Sequence, residues 1–324
     1  MSSQGTATAP PDVLTGGETG RRAGPARRRR PRPPTRDSGW WALMLLLPAA
    51  AGLAVFEIWP TFQTIYYSFT SWGAFGGHAW SGLENYRTLI ADSDVFHAIV
   101  NTAIITAITL LAVPLSAIVA ALLSLPGMRG VTIYRTLYFL PVVTLPAAVA
   151  LTWKWLFNGD YGLINWLLSK IGIDGPHWLS DPATAIFAIS IVGVWGSIGY
   201  NMVIFLSGIR GIPVDYYEAA ELDGAGRLAQ FFHVTVPLLT PSIFFVTVIT
   251  VINSLQAFDL IYLMVGQQSP AIERTETLVY LFYQRGFAEH DGGYAAAIGV
   301  LLLIATLILT AAQFRLQKRW VHYG

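Results

Sequence analysis

Residues 210–236 read RGIPVDYYEAAELDGAGRLAQFFHVTV and run into Pro237. They lie between two long apolar stretches, 184–209 and 237–264. The segment is a connection by position, but its pattern is that of structured chain. Pro213 disfavours helix at the residue before it, so the preceding stretch does not continue unbroken. Asp215 is placed as an N-cap, and Glu218 three residues later gives a D-x-x-E capping box. Asp223-Gly224 signals a turn, because glycine accepts positive φ without a Cβ penalty. Residues 227–234 read as a second short helix with Leu228, Phe231 and Phe232 close together on one face. Two short helices bearing exposed aromatics and acids offer a grip to a soluble partner. The same features also fit a loop packed on the ends of its own helices.

Working outward, the apolar stretches around this loop belong to a set of six, at 40–60, 100–125, 133–157, 184–209, 237–264 and 294–314. A membrane-crossing helix needs about 20 apolar residues at about 1.5 Å each. The composition agrees: 54% of the 324 residues are hydrophobic and only 12% are charged, against about 25% charged in a soluble domain. The chain has no cysteine, which excludes a disulfide framework, a thiolate metal site and a thiol nucleophile. The stretch 40–60 is too long for a signal peptide and has no small-residue cleavage site, so it reads as an uncleaved anchor.

Orientation follows from the basic residues. With the N-terminus in the cytoplasm, only Arg87, Lys154, Lys170, Arg274 and Arg285 of the 20 Lys and Arg fall outside. Six crossings then put both termini inside. Residues 1–39, rich in Pro, Gly, Thr and Arg, form a disordered basic cytoplasmic tail. Its run ARRRRPRPP reads as a topogenic, lipid-facing cationic segment rather than a nucleic-acid arm. Trp40, Trp41, Trp59, Trp153, Trp155 and Trp178 sit near the ends of crossings, as an aromatic belt would. No repeat with a period of 20–50 residues is visible.

Polar residues inside two crossings are candidates for a substrate path. Thr250, Asn253, Ser254 and Ala257 fall at i, i+3, i+4 and i+7 on one helical face, with Thr250 about 20 Å from Pro237. Gln256 is a nearby polar alternative to Ala257. Ser197, Tyr200 and Asn201 cluster on a face of the 184–209 helix at similar depth. Hydroxyls, amides and aromatic rings such as Tyr200 or Trp195 suit a neutral sugar or polyol. Ser, Thr and Asn also bind neighbouring helices to one another, so helix packing is the competing reading. Asp259 lies nearer the outer end, as a mouth residue or a packing residue.

The loop carries a more specific signature. Glu218-Ala219-Ala220, three residues, Gly224, nine residues, Val234, one residue, then Val236-Pro237 resembles the EAA loop of ABC importer permeases, with Val at its two Ile/Leu positions. The strings GLENYRTLI (82–90), NTAIIT (101–106), WLSDPATA (178–185), EAAELDGAG (218–226) and NSLQAFDLIYLM (253–264) are similar to the carbohydrate-uptake branch of that family. That branch includes the maltose transporter's larger membrane subunit and glycerol-3-phosphate permeases, and the likeness runs from about residue 40 to the C-terminus.

The resemblance implies an all-α integral membrane protein of the bacterial inner membrane: a five-helix permease core plus a peripheral first helix. It implies a transmembrane domain over 40–324 with a coupling loop at 210–237, seated in a cleft of a cytoplasmic ATPase. Gly224 would make the turn, Phe231 and Phe232 apolar contacts, and Glu218 a pairing with a basic residue of the ATPase or a cap; Ala219, Ala220, Asp223 and Pro237 complete the coupling set. Ser197, Tyr200, Thr250, Asn253 and Ser254 fall on or beside sugar-contacting positions of the maltose-type subunit, while Ala257 replaces an amide there. The partners implied are a second permease, two ATPase subunits and an extracytoplasmic binding protein, with ATP and Mg on the ATPase and no cofactor on this chain.

Rival classes find less support. None of Lys154, Lys170 and Lys318 follows a glycine in a G-x-x-x-x-G-K-[ST] pattern, so the chain has no phosphate-cradling loop of its own. An ion-coupled secondary transporter, the alternative, would call for an acid near the midplane and often for repeated halves; Glu57 and Asp259 both lie toward helix ends. A membrane enzyme or metal site is not legible, because all six histidines lie at or beyond helix ends.

Overall fold

The computed structural model describes residues 38–73 and 76–321. Residues 1–37 of the expected tail lie outside the described residues; Ser38 and Gly39 open the first helix. The chain divides into two units, with the boundary between Ala54 and Val55.

The described part of the first unit is helix α1 (Ser38–Leu53). Its Leu43, Met44 and Leu45–Leu47 are all exposed, as expected of an apolar surface meant for lipid rather than for a core.

The second unit continues with α2 (Trp59–Tyr67), strands β1 (Thr70–Trp72) and β2 (His78–Trp80), then α3 (Glu84–Ala91), α4 (Ser93–Thr109) and α5 (Ala112–Leu123). Next come α6 (Val131–Val143), α7 (Pro146–Leu156), α8 (Leu163–Lys170) and α9 (Ala185–Arg210). The rest is α10 (Val214–Leu222), α11 (Arg227–Gln230), α12 (Val236–Leu238), α13 (Thr240–Leu255), α14 (Leu278–Tyr283) and α15 (Gly292–Trp320).

Four helical runs are long and apolar enough to cross a bilayer: Leu43–Tyr67, Ser93–Leu123, Ala185–Arg210 and Gly292–Lys318. They match the stretches expected at 40–60, 100–125, 184–209 and 294–314. The other two are not single helices. The stretch expected at 133–157 is α6 and α7, bent by 102°, and the helical run Arg227–Leu238 meets α13 at 70°. The first bend has a clear cause. Leu145 precedes Pro146, which pushes the residue before it out of the α region, and Thr144 and Leu145 are extended at ψ 144° and 128°. The stretch expected at 237–264 fails as one helix at both ends, because α13 starts at Thr240 and stops at Leu255.

The fold is mostly helical, but the expectation of an all-α chain needs one correction. β1 and β2 form an antiparallel pair with Thr70 opposite Trp80. Asn85 ties them to α3 by donating from Nδ2 to the carbonyls of Ser68 and Thr70, both at 2.9 Å.

Helix α9 is the hub. Val113, Ala117 and Ala120 of α5 pack against Met202, Phe205 and Leu206, with Leu239 and Val246 closing the cluster. Small residues set the approach. A Cβ on Gly199 would collide with the Tyr138 carbonyl, and one on Gly208 would press into Leu239 and Ser242. This is how helices pack closely where lipid gives no hydrophobic drive for their association. At the other end of α9, Ile186 and Ile189 meet Ile261 and Tyr280, while Ala188 and Val192 meet Ala150, Phe157 and Met264.

Candidate functional site: a fixed loop and a polar helix pair

The loop after α9 is held by backbone bonds. Pro213, extended at ψ 138°, leads into α10, so the helix starts at Val214. Asp215 is therefore already inside the first turn and makes no cap bond, and the expected capping box is absent. The end of α10 explains the motif spacing. Gly224 has φ +80°. Its N–H donates to the Glu221 carbonyl at 3.0 Å, and the Ala225 N–H donates to the Ala220 carbonyl at 2.9 Å. That pair of bonds is a Schellman cap, in which the left-handed residue belongs to glycine. Ala220 and Gly224 are thus locked four residues apart by helix-ending geometry.

The chain then turns back through α11, a wide helical turn at Phe231–Thr235, and α12. Tyr217 Oη and Thr235 Oγ1, 3.0 Å apart, join the two arms, and Gln230 Nε2 donates to the Ala225 carbonyl at 3.1 Å. On this frame the apolar side chains face outward. Leu222 is 90% exposed, Leu228 74% and Phe232 57%. Phe231, half-buried, braces Phe232 edge-on at 5.1 Å between ring centres. Glu218, Ala219 and Asp223 are exposed, Ala220 and Pro237 half-buried. The Glu218 and Asp223 carboxylates make no ion pair or hydrogen bond among the described residues.

The polar residues of α9 and α13 sort differently. Asn201 and Thr250, 2% and 3% exposed, face each other, with Asn201 Nδ2 donating to Thr250 Oγ1 at 3.4 Å. Buried Ser254 donates to its own helix at the Val251 carbonyl, and Ser197 donates to the Gly193 carbonyl. These groups are satisfied inside the helix pair. Tyr200 and Asn253 stay exposed, as does Gln256, which caps α13 rather than lying in it. The shared face expected over 250–257 ends at Leu255, so Ala257 and Asp259 are outside the helix. Depth also changes: measured from Thr240, where α13 begins, Thr250 is about 15 Å along the axis, not about 20 Å from Pro237.

A charged cluster that the sequence does not announce ties the start of α4 to α15 and to the turn between α14 and α15. Arg285 donates to Asp94 and Glu289, both at 2.7 Å, and lies 3.5 Å from Asp92. Asp92 in turn accepts from the Tyr294 hydroxyl at 2.7 Å. Burial, and next the Asp94 charge, pushes the neighbouring Glu276 carboxyl up to about 7. Arg285 and Glu289 stand at i,i+4, but Asp92 and Asp94 are far away in the chain, and no local pattern joins the two segments.

Several helices of membrane-crossing length, with α9 as the packing hub of the second unit, define a multi-pass membrane protein. Residues 112–322 match the family described as the binding-protein-dependent transport system inner membrane component, and the chain belongs to that family. It is 32% identical over 281 residues to the probable ABC transporter permease protein YesP of Bacillus subtilis, covering 85% of this chain and 90% of that one. It is 32% identical over 296 residues to the sn-glycerol-3-phosphate transport system permease protein UgpA of Yersinia pseudotuberculosis, covering 90% and 99%. Among solved structures, a bacterial ABC transporter involved in the import of the acidic polysaccharide alginate has a chain of the same fold. Its TM-score is 0.79 at 22% identity, over 88% of this chain and 98% of that one. The family makes the chain a translocation subunit rather than a catalytic enzyme.

Proposed function

We propose that this chain is a membrane-spanning permease subunit of an ATP-driven, binding-protein-dependent importer for a sugar or polyol, and that residues 210–237 transmit the stroke of a separate ATPase. The observation that carries the reading is the Schellman-capped turn at Gly224, which holds Leu222, Leu228 and Phe232 out on a stiff frame. Exposed anchors on a preorganised frame are what an interface hot spot requires. Glu218 and Asp223, unpaired within the described chain, are offered to basic groups of the ATPase.

In this reading six crossings, two of them bent, place both termini in the cytoplasm, with the first helix peripheral to a five-helix core. The complex holds a second permease, two ATPase subunits that bind ATP and Mg, and an extracytoplasmic binding protein. The relatives UgpA, named for sn-glycerol-3-phosphate, and the alginate importer, solved with an alginate pentasaccharide-bound periplasmic protein, support a hydroxyl-rich cargo and such a binding protein. Tyr200, Asn253 and Gln256 are the exposed polar groups that contact cargo, while Ser197, Asn201, Thr250 and Ser254 shape the path behind them.

The testing experiment is uptake by proteoliposomes carrying the whole complex. Uptake that needs internal ATP and ends when the ATPase is stripped away agrees with this function. Uptake driven by an ion gradient without ATP would establish the secondary-transporter alternative instead.

A further inference from the structure

At the end of α9 opposite the 210–237 loop, three segments line an open cavity of about 690 Å³. They are the end of α7 with Phe157–Asp160, the stretch His177–Ser180 leading into α9, and residues 262–270 beyond the break after α13. The volume falls within the about 300–1,000 Å³ of small-molecule sites.

Two bonds hold the segments together: Lys154 Nζ donates to the Leu263 carbonyl at 3.2 Å, and Ser269 Oγ donates to the Leu179 carbonyl at 3.2 Å. Gly159 permits the closure, because a Cβ there would overlap the His177 ring.

Lys154, Asn158 and Ser269 of the lining are spent on backbone groups, but five other polar side chains are not. Among the described residues, the side chains of Asp160, His177, Ser180, Gln267 and Gln268 make no hydrogen bond. Together they present amide and imidazole donors beside amide, hydroxyl and carboxylate acceptors. Lys154 and Asp160 bring opposite charges, so the lining reads hydroxyls rather than one sign of charge. The apolar wall is buried Phe157 together with Tyr262. Tyr262 is fixed by stacking on Phe258 at 5.2 Å and by an edge contact to Tyr283 at 5.3 Å. A braced ring beside alternating donors and acceptors matches the two faces of a sugar, its C–H surface and its hydroxyl rim. The cavity also adjoins the candidate path. Phe157 stacks on Trp153 at 5.4 Å, and Trp153 meets Trp195 of α9 at 5.4 Å, two residues from Ser197.

We propose that this cavity is a receiving site for a hydroxyl-rich sugar or polyol, with Tyr262 as its stacking platform and Asp160, His177, Gln267 and Gln268 as its hydroxyl-reading groups. The proposal rests on the importer reading above and adds a second cargo contact, outside the α9–α13 face.

The test uses the assembled complex in nanodiscs, held with ATP and vanadate, without binding protein. Saturation-transfer NMR is read with maltose, glycerol and glycerol 3-phosphate, and uptake of the same three is measured with the complete system. For whichever compound is taken up, affinity should drop about tenfold in Tyr262→Ala and in the Gln267→Ala/Gln268→Ala double variant. Tyr262→Phe should keep the signal, and all variants should still assemble into the complex. Uptake of a compound whose NMR signal is absent, or is unchanged by both sets of alanine substitutions, overturns the receiving site alone. Uptake of none of the three by the unaltered system overturns the sugar reading, and the receiving site with it.

Discussion

The 210–237 loop and the α9–α13 pair use polar and apolar residues in opposite ways. In the loop, backbone groups satisfy one another through the Gly224 cap, a few side-chain bonds join the arms, and apolar side chains face outward, with Leu222 90% and Phe232 57% exposed. In the helix pair, the buried side chains Asn201 and Thr250 satisfy one another. The first arrangement leaves apolar surface and acidic groups exposed on a fixed frame, whereas the second is self-sufficient. Exposure and unmet bonding capacity, rather than residue type, therefore separate a contact surface from helix packing.

The comparison breaks most visibly at Gly224. A non-glycine residue in the left-handed region costs about 1–2 kcal/mol, and the turn positions every exposed anchor. Gly224→Arg should insert normally but lose nearly all uptake and all stimulated ATP hydrolysis, while Gly224→Asn, which tolerates this conformation, should keep a substantial share. Full uptake by the arginine variant would remove the loop from the mechanism. Next in size, Phe232→Ala should weaken co-purification with the ATPase about tenfold or more, the scale of an interface anchor, with the melting temperature of the membrane subunit unchanged.

The helix pair should respond in the reverse sense. Asn201→Leu leaves Thr250 without its buried partner, at about 1–3 kcal/mol, so thermal stability in detergent should fall. Tyr200→Ala should leave stability alone and reduce transport severalfold. If Tyr200→Ala destabilised the chain and Asn201→Leu did not, the assignment of the two roles would have to be exchanged.

The smallest effect concerns Glu276. Its carboxyl titrates near 7 in the fold because burial disfavours the charged form, against about 4.3 unfolded. Between those values the folded state holds more protons than the unfolded state, so stability falls as pH rises through this window. Glu276→Gln removes that loss, and its gain in melting temperature over the parent should be larger at pH 8 than at pH 5. An equal gain at both pH values would contradict it.

Much of this was legible in the residues, for identifiable reasons. The apolar runs at 184–209 and 294–314 announce α9 and α15 because length and absence of charge are sufficient to mark a crossing. Gly224 announces its turn because few other residues accept its φ. Asp215 misleads because Pro213, two residues earlier, starts α10 before it can cap. The 102° bend is written in Leu145-Pro146, where a proline forces the residue before it into extended backbone. The end of α13 at Leu255 has no such sign, since neither Gly nor Pro occurs between Asn253 and Leu260. The Arg285 cluster and the cavity at Tyr262 join segments distant in the chain, which tertiary packing brings together and local pattern does not reveal.

The central claim is that the loop faces the cytoplasm and is covered there by an ATPase. The chain has no cysteine, so a single Leu228→Cys substitution gives a clean probe. A membrane-impermeant thiol reagent should fail to label intact cells, should label inside-out vesicles stripped of the ATPase, and should be blocked when the ATPase is added back. Labelling of intact cells from outside, or labelling of vesicles that the ATPase does not diminish, would contradict the account.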